Sequence, residues 1–573
     1  MGEEKTISSR TIGLILGPVL ALLLVLVGTP EGLTDEAWRV AALLVLMAVW
    51  WATEAIPIPA TSLLPLVFIP LIGAGSTKEA AVGYASPTVL LLLGGFIVAM
   101  GVERWNLHSR IALNIVVRAG DHMRLIIAGF MIATALISAW ISNTATTIMM
   151  VPIAISLATE TGEKSGRFEK ALLLGIAYSA SIGGAMTPIG TPTNLIAIAW
   201  LRDNTGSDIG FIEWMAFGVP AALLLIPVAW YVLTRDLPKH SSENQETHNP
   251  SFTRGHFERL LYFSALVVGI VVLGFLINFL LTKATIVIFP SAASVAFVPF
   301  LLAISGGVVS AIIMLATHRT LKRSIVFSSL PDRTEGIAQD EIRSHLAALG
   351  KISTPEARVA MVFGLIASLW VLRVPIQDYV SHIPMLGWTA KINDMGIAAF
   401  GAVLMFLVPA GGKEKRALLS WEEAEKLPWG VLLLFGGGIS LGNAVKSTGL
   451  SEWLGGMLAG IEGAPTIVMI LVVVALVVYL TEVTSNVATM TTLAPVLGAF
   501  AIGVGAPPAA FLGPAAIAAS CAFMLPVATA PNAIVYGSKH VYMKDMISAG
   551  FWINLGAVAI ITLIGTYLAP LVL

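Results

Sequence analysis

The sequence predicts an all-α polytopic membrane protein with about 13 spans, arranged as two repeats and an inserted helix pair. Of its 573 residues, 57% are hydrophobic and only 12% are charged, whereas soluble proteins are roughly 25% charged. Many uncharged runs are as long as the about 20 residues that cross a bilayer. The lipid bilayer is therefore the expected partner, and the net charge of −1 gives no reason to expect nucleic acid.

The first apolar run, Thr11 to Pro30, is as long as a full span and has no clear small-residue cleavage site after it. We interpret it as the first transmembrane helix and not as a cleaved signal peptide. Lys5 and Arg10 precede this run, and Asp35 and Glu36 follow it. This charge distribution predicts a cytoplasmic N-terminus, in a multi-pass protein of the cell (inner) membrane.

An uncharged run of 35 residues, from Leu125 to Thr159, is too long for one straight span and too short for two spans with a loop. Ser142, Asn143 and Thr144 lie at its middle, and small polar side chains of this kind compete with helical backbone bonds. The run therefore predicts a helix broken at membrane depth. Such a break is tolerated only where it lines a cavity or a binding site.

Proline predicts a second kind of break. Met186 to Asn194 reads MTPIGTPTN, and two prolines and a glycine within five residues cannot continue a helix. Leu525 to Asn532 reads LPVATAPN and predicts a similar break. Stretches 86–117 and 427–460 contain glycine pairs between apolar segments, which predicts two re-entrant helical hairpins. For 86–117 the alternative is an ordinary helix followed by an interfacial one.

Three landmarks recur in the same order along the chain. Gly94-Gly95 recurs as Gly436-Gly437, Ser142-Asn143 as Ser485-Asn486, and the triplet 192–194 as 530–532, at offsets of 342, 343 and 338 residues. This recurrence predicts two related halves, which composition alone does not identify as parallel or inverted. Broken helices in corresponding halves indicate a secondary transporter with its site near the bilayer midplane.

The predicted breaks contain hydroxyls, amides and small side chains but neither Lys nor Arg. Carbonyl and hydroxyl oxygens suit a hard cation such as Na⁺, and the free N–H groups at a helix start suit an oxyanion. A single Ser-Asn pair would more simply be a polar helix contact, but its recurrence beside a Pro-rich break favours a site. For Glu482, a cation or proton ligand and a helix-packing role remain equal alternatives.

A membrane-embedded enzyme and a channel are the rival classes. The sequence contains no HExxH motif and no Asp/Glu pair at membrane depth, so we predict no catalytic residues. Its single cysteine, Cys521, excludes an intrachain disulfide and a multi-cysteine metal site. Single-channel conductance would support a channel, whereas saturable uptake with counterflow would support a carrier.

The chain resembles the divalent anion–sodium symporter family, which carries dicarboxylates, citrate and sulfate, over nearly its whole length apart from the insertion. The matching motifs are SNTATTIMMVP (142–152), GTPTN (190–194), TSNVATMTTLAP (484–495) and ATAPNAIVYGS (528–538). The resemblance implies two inverted repeats, re-entrant hairpins, a homodimer, and an elevator motion of a transport domain against a scaffold.

With this division the chain falls into five predicted segments. They are scaffold helices (1–84), a first transport-domain repeat with a hairpin, a broken helix and a Pro-rich break (85–235), a linker with the inserted helix pair (236–350), scaffold helices (351–426) and a second transport-domain repeat (427–573). The inserted helices, expected near 260–281 and 286–316, carry no motif that assigns them a function.

The resemblance also implies site residues. The first Na⁺ site would comprise Ser138, Ser142, Asn143 and Gly190, and the second Thr481, Ser485, Asn486 and Ala528. The residues that would face substrate are Asn143, Thr144, Thr193, Asn486, Val487 and Thr529. Val487 stands where the family motif has threonine, which removes one hydroxyl from the site.

The function implied by the resemblance is Na⁺-coupled uptake of a C4-dicarboxylate such as succinate, malate or fumarate. Na⁺ would be the co-transported ion and a small dianion the substrate. Within the family, a Na⁺-independent dicarboxylate exchanger and a carrier of sulfate or citrate are the alternatives.

Overall fold

The computed structural model describes residues 9–119, 122–160, 166–207, 209–237, 337–380, 389, 391–412, 414–451, 453 and 465–573. Over these residues the chain is mostly helical, and eight helices are long and apolar enough to cross a membrane. The chain is therefore a helical multi-pass membrane protein, as predicted. The inserted helices expected near 260–281 and 286–316 lie outside the described residues.

The described helices differ widely in length, and long apolar helices alternate with short ones. They are Ser9–Val27, Asp35–Thr53, Ile58–Thr61, Leu64–Leu71, Thr77–Val82, Pro87–Arg104, Leu107–Val116, Met123–Ser138, Asn143–Glu160, Arg167–Gly184, Pro192–Thr205, Phe211–Thr234, Ile337–Ala348, Thr354–Val380, Asp394–Leu407, Trp421–Ala424, Trp429–Ser447, Thr466–Thr481, Asn486–Gly503, Ala509–Ala519, Ala530–Gly537, Met543–Tyr567 and Ala569–Val572. Strands Pro409–Gly411 and Glu414–Ala417 pair antiparallel.

Two pairs of these helices contain the Ser-Asn sequences, and we call them hairpins. The first hairpin is Met123–Ser138 with Asn143–Glu160, and the second hairpin is Thr466–Thr481 with Asn486–Gly503. Each is followed by a helix with a central interruption. The first broken helix is Arg167–Gly184 with Pro192–Thr205, and the second broken helix is Ala509–Ala519 with Ala530–Gly537.

The chain reverses direction inside the first hairpin. Both of its arms pack along the first half of the first broken helix. A Cβ added to Gly175 would lie 3.1 Å from Met131, and one added to Gly183 would lie 2.4 Å from the Cα of Ala135. The first arm therefore runs parallel to the broken helix at backbone contact, and the second arm returns along it. Glycine is required at position 183 because this close approach leaves no room for a side chain.

This geometry corrects the expected broken helix at 125–159, because the two helical segments lie side by side instead of end to end. The non-helical residues are 139–142, so Asn143 and Thr144 lie in the first turn of the second arm and not in the interruption. The second hairpin repeats this arrangement with non-helical residues 482–485, and both of its arms pack on Ala509–Ala519.

The hairpin predicted at 86–117 takes a different form. Pro87–Arg104 continues through Gly94-Gly95, and with the preceding residues from Thr77 it is long enough to span alone. The chain turns only at Trp105 and Asn106, before the short helix Leu107–Val116. The alternative of an ordinary helix followed by a shorter one describes this stretch better.

The stretch 427–460 also lacks a turn at its glycines, because Trp429–Ser447 is one continuous helix. Its residues 454–460 lie outside the described part of the chain. The glycine pairs allow helices to approach closely. A Cβ at Gly94 would lie 2.6 Å from the backbone of Ala398, and one at Gly437 would lie 2.3 Å from the carbonyl oxygen of Ser62.

Each broken helix contacts the hairpin of the other half. Pro192–Thr205 packs on Asn486–Gly503, and Ala530–Gly537 packs on Asn143–Glu160. The first half of each broken helix packs on the second half of the other: Arg167–Gly184 contacts Ala530–Gly537, and Ala509–Ala519 contacts Pro192–Thr205. The two broken helices therefore pass each other in opposite directions, with their interruptions between them.

A polar cluster outside the spans covers the turn after Arg104. Glu423 accepts hydrogen bonds at 2.6 Å from both Arg104 Nε and Arg416 Nη2, and its carboxylate also accepts from the backbone N–H of Ser420 at 2.9 Å. Partial burial opposes the charge of Glu423, but Arg416, Ser420 and Arg104 together lower the pKa of its carboxyl to about 2. The cluster joins Pro87–Arg104 to the segment that follows the two strands.

Candidate functional site

The tip of the first hairpin contains a group of buried oxygens. The single O–H group of Ser138 is shared between two acceptors, Asn143 Oδ1 at 2.5 Å and the carbonyl oxygen of Ala180 at 2.8 Å. The amide of Asn143 also lies against Gly184, where a Cβ would be 2.6 Å from Oδ1. Ser142 caps the second arm, because its hydroxyl accepts from the N–H of Ala145 at 3.1 Å.

The first interruption folds against this tip. Asn194 donates two hydrogen bonds from Nδ2, to the carbonyl oxygens of Gly184 at 3.0 Å and Thr187 at 2.7 Å. Thr187 donates to the carbonyl oxygen of Ala139 and accepts from the N–H of Gly190 at 3.1 Å. Gly190 therefore lies beside the hairpin tip.

The second half repeats the asparagine bonds. Asn532 Nδ2 donates to the carbonyl oxygens of Ala522 at 2.9 Å and Leu525 at 3.0 Å, which precede it by the same ten and seven residues that separate Asn194 from its acceptors. Thr481 donates to the carbonyl oxygen of Ala519 at 3.0 Å, in the way that Ser138 donates to Ala180. Both asparagines are fully buried, so each fixes the irregular backbone of its own interruption.

The two tips differ in their second asparagine. Asn143 accepts from Ser138, whereas Asn486 Oδ1 accepts from the N–H of Val487 at 2.8 Å. Ser485 occupies the N-cap position of the second arm without a side-chain cap bond. Val487 is partly buried and packs against two separate clusters of buried apolar residues in the described part of the chain.

The predicted substrate residues fall into two groups. Thr144 is exposed, and Asn143, Asn486 and Val487 are half-buried, so these four present surface at the two tips. Thr193 and Thr529 are buried: Thr529 accepts from the N–H of Asn532 at 3.3 Å, and the Thr193 hydroxyl lies 3.1 Å from that of Ser520. Ala528, a predicted Na⁺ ligand, is also buried. The Thr193–Ser520 contact joins the start of Pro192–Thr205 to the second interruption.

An aromatic stack holds the first tip against a neighbouring helix. Trp140 lies in the non-helical tip and stacks on Phe211 at 5.5 Å between ring centroids. Phe211 in turn stacks on Trp370 of Thr354–Val380 at 4.8 Å and an interplanar angle of 5°. The position of Ser142 and Asn143 is therefore tied to a helix outside both hairpins.

Sequence reasoning missed three residues of this region. Thr187 lies within the MTPIGTPTN motif but was not assigned a role, whereas Ser520 and Asn554 belong to no motif. Ser520 bonds to Thr193 and Asn554 bonds to Glu482 at 2.6 Å. Only the three-dimensional contacts identify these last two.

The described residues give little support to a catalytic site. The sequence GISLG at Gly438 to Gly442 matches the spacing of a serine-hydrolase motif, but it lies inside the continuous helix Trp429–Ser447 and not at a strand-to-helix turn. Among the described residues, no group of three or more His, Cys, Asp or Glu side chains could hold a metal ion.

Paired hairpins and broken helices with uncharged oxygen groups, in a multi-pass helical protein, define the class of membrane transporters. The chain belongs to the citrate transporter family (CitMHS), whose model matches residues 48–510, and its resemblance to the divalent anion–sodium symporters is confirmed. It is thus a transporter and not an enzyme.

Relatives match over the full length. The sodium-dependent dicarboxylate transporter SdcS of Staphylococcus saprophyticus is 36% identical over 582 residues, which cover 100% of this chain and 94% of that protein. SdcS of Staphylococcus aureus (strain bovine RF122 / ET3-1) is 35% identical with the same coverage. Among solved structures, the YdaH transporter of Alcanivorax borkumensis aligns with a TM-score of 0.46 and 14% identity, over 93% of this chain and 97% of that one.

Proposed function

We propose that this chain is a secondary active transporter that takes up C4-dicarboxylates such as succinate, malate or fumarate together with Na⁺. The observation that carries the proposal is the matched pair of tips and interruptions. Each combines a Ser or Thr hydroxyl, a Ser-Asn helix start and an asparagine-braced loop. The names of the full-length relatives, which are sodium-dependent dicarboxylate transporters, support the ion and the substrate class.

The chemistry assigns the two partners to different atoms. The first Na⁺ site uses Ser138, Ser142, Asn143 and Gly190, whose oxygens or neighbouring carbonyls gather at the first tip. The second uses Thr481, Ser485, Asn486 and Ala528. The substrate carboxylates bind at the exposed starts of the second arms, where free N–H groups and the helix dipole favour negative charge. The bound cations reduce the electrostatic cost of placing a dianion in a site without Lys or Arg.

The substrate-facing residues are Asn143, Thr144, Thr193, Asn486, Val487 and Thr529. Thr193 and Thr529 act from buried positions, where they hold the interruptions. Val487 leaves the second tip with one hydroxyl fewer than the first, which favours a substrate whose one end is less strongly hydrogen-bonded. Replacing it with threonine, Val487→Thr, should shift the preference among succinate, citrate and sulfate in competition for uptake.

The opposite courses of the two broken helices support an inverted-repeat arrangement, because corresponding elements then enter the membrane from opposite sides. We assign the motion to an elevator, in which the hairpins and broken helices move as one body relative to the scaffold in a homodimer. We also propose that the protein lies in the cell (inner) membrane with its N-terminus in the cytoplasm.

The test is a Na⁺ titration of labelled succinate uptake into proteoliposomes. Saturable uptake that requires a Na⁺ gradient is expected. Uptake that is unaffected by Na⁺ but accelerated by internal dicarboxylate would favour the exchanger, and competition by sulfate or citrate alone would favour those substrates. Single-channel currents in planar bilayers would contradict a carrier altogether.

A further inference from the structure

Glu482 is a buried carboxylate in the tip of the second hairpin, with 4% of its surface exposed. Its Oε1 accepts from the backbone N–H groups of Phe523 at 2.8 Å and Met524 at 3.0 Å, and its Oε2 accepts from that of Leu525 at 2.9 Å. Asn554 Nδ2 donates to Oε1 at 2.6 Å. Three successive amides of the second interruption and one side chain of Met543–Tyr567 thus converge on one carboxylate.

In the first half, an uncharged side chain links the hairpin tip to the interruption. Ala139 follows Ser138 as Glu482 follows Thr481, at the offset of 343 residues that relates the two Ser-Asn pairs. At Ala139 the link between tip and interruption is the hydroxyl of Thr187, which donates to the Ala139 carbonyl oxygen. The two candidate cation sites therefore share a backbone plan but differ by one negative charge.

One residue held by Glu482, Leu525, is hydrogen-bonded to a predicted Na⁺ ligand. The carbonyl oxygen of Leu525 accepts from Asn532 Nδ2 at 3.0 Å and from the N–H of Ala528 at 3.3 Å. Fixing Leu525 therefore fixes both Ala528 and Asn532. Displacement of this loop would move the carbonyl of Ala528 relative to Thr481 and Asn486.

We propose that Glu482 is a positioning residue for the second Na⁺ site, and that its charge makes this site the more strongly cation-binding of the two. This inference about Glu482 rests on the proposed function. Both carboxylate oxygens already accept from N–H donors, so Glu482 acts through the loop and through its field and not as a direct ligand. Within the described residues no Lys, Arg or His forms an ion pair with it. A nearby Na⁺ therefore offsets the cost of its buried charge.

The variant Glu482→Gln tests this assignment. It keeps the side-chain length but removes the charge and turns an N–H₂ group toward N–H donors. We expect the Na⁺ concentration for half-maximal succinate uptake to rise by about 10-fold, the effect of losing one charge-assisted hydrogen bond. Asn554→Ala, which removes only the 2.6 Å bond, should shift it in the same direction by less. Glu54→Gln, at an exposed glutamate, is the matched control and should leave it unchanged.

Hydrogen exchange provides a readout that does not depend on transport. In Glu482→Gln the amides of residues 523–525 should exchange faster than in the wild type, with the rest of the second hairpin unaffected. Unchanged protection there would overturn the positioning role. Faster exchange with an unchanged Na⁺ half-saturation would reduce Glu482 to a structural brace and also overturn the proposal. A wild-type protein without any Na⁺ dependence would instead contradict the proposed function, while the exchange experiment would still test the contact.

Discussion

Thr193, in the first turn of Pro192–Thr205, and Ser520, in the second interruption, lie with their hydroxyl oxygens 3.1 Å apart. Both residues are buried, with at most 1% of their surface exposed. Their hydrogen bond links the loop that carries Gly190 to the loop that carries Ala528. A direct side-chain hydrogen bond therefore connects the two halves of the chain beside their interruptions.

The asparagines of the two tips should be essential for transport. Asn143→Ala and Asn486→Ala each remove an amide oxygen from a candidate cation site, and we expect each to abolish succinate uptake. Both side chains are half-buried at the tips, so the protein should still fold and insert. Uptake in proteoliposomes measures the effect, and size-exclusion profiles check the fold. Asn114→Ala, which removes a local bond to the Arg110 carbonyl, is the control. Wild-type uptake in either tip variant would refute the site.

Substitution of either buried asparagine, Asn194 or Asn532, should lower the stability of the protein by a similar amount. Asn194→Ala and Asn532→Ala each remove two hydrogen bonds to buried carbonyl oxygens, at a cost of about 2–4 kcal/mol. Asn194→Asp should be worse, because it brings a carboxylate oxygen toward those carbonyls. Thermal unfolding in detergent measures the loss. A large effect at one position and none at the other would mean that the two interruptions are not equivalent.

Gly183 should not accept even one methyl group. Gly183→Ala would place its Cβ 2.3 Å from the carbonyl oxygen of Ala135, so the hairpin and broken helix must separate, at a cost of about 1–3 kcal/mol. The control is Gly364→Ala, where nothing lies within 4 Å of the added Cβ. That change should stabilise its helix by about 0.5–1 kcal/mol. Melting temperatures that move in the same direction for both would contradict the close packing.

Glu423 should make stability depend on pH in the acid range. Its pKa is lowered from 4.5 to about 2, despite partial burial, by Arg416, Ser420 and Arg104. Its contribution is therefore complete above pH 5 and is lost as the pH falls toward 2. Glu423→Gln should lower the melting temperature at pH 7, and the difference from the wild type should shrink between pH 5 and pH 3. A difference that stays constant over this range would show that the charge contributes nothing.

Much of the fold follows from the sequence because its signals are local. Long apolar runs predict spans, and Pro192 and Pro531 predict the points at which helices restart. Direction after a break is not local. The residues around Ser142 predict an interruption, but only packing against Arg167–Gly184 decides that the chain folds back. The prediction that placed the hairpins at the glycine pairs was wrong for the same reason. Gly94 and Gly437 instead allow close packing between helices.

The candidate site was predictable where one short motif contains both partners of a contact. Asn194 and the Gly184–Thr187 carbonyls lie within eleven residues of each other. The pairs Thr193–Ser520 and Glu482–Asn554 are separated by 327 and 72 residues, and a single sequence carries no record of such proximity. Long-range hydrogen bonds of this kind are the part that required the structure.

The exchange of partners between the halves has a consequence for biosynthesis. The helix Asn143–Glu160 packs on Ala530–Gly537 as well as on Arg167–Gly184, and the ribosome produces Ala530–Gly537 near the end of the chain. The contact between these two helices can therefore form only after more than 300 further residues have been made. A truncated chain that ends before the second broken helix would lack this contact, so we expect that face of the first hairpin to remain unpacked in it.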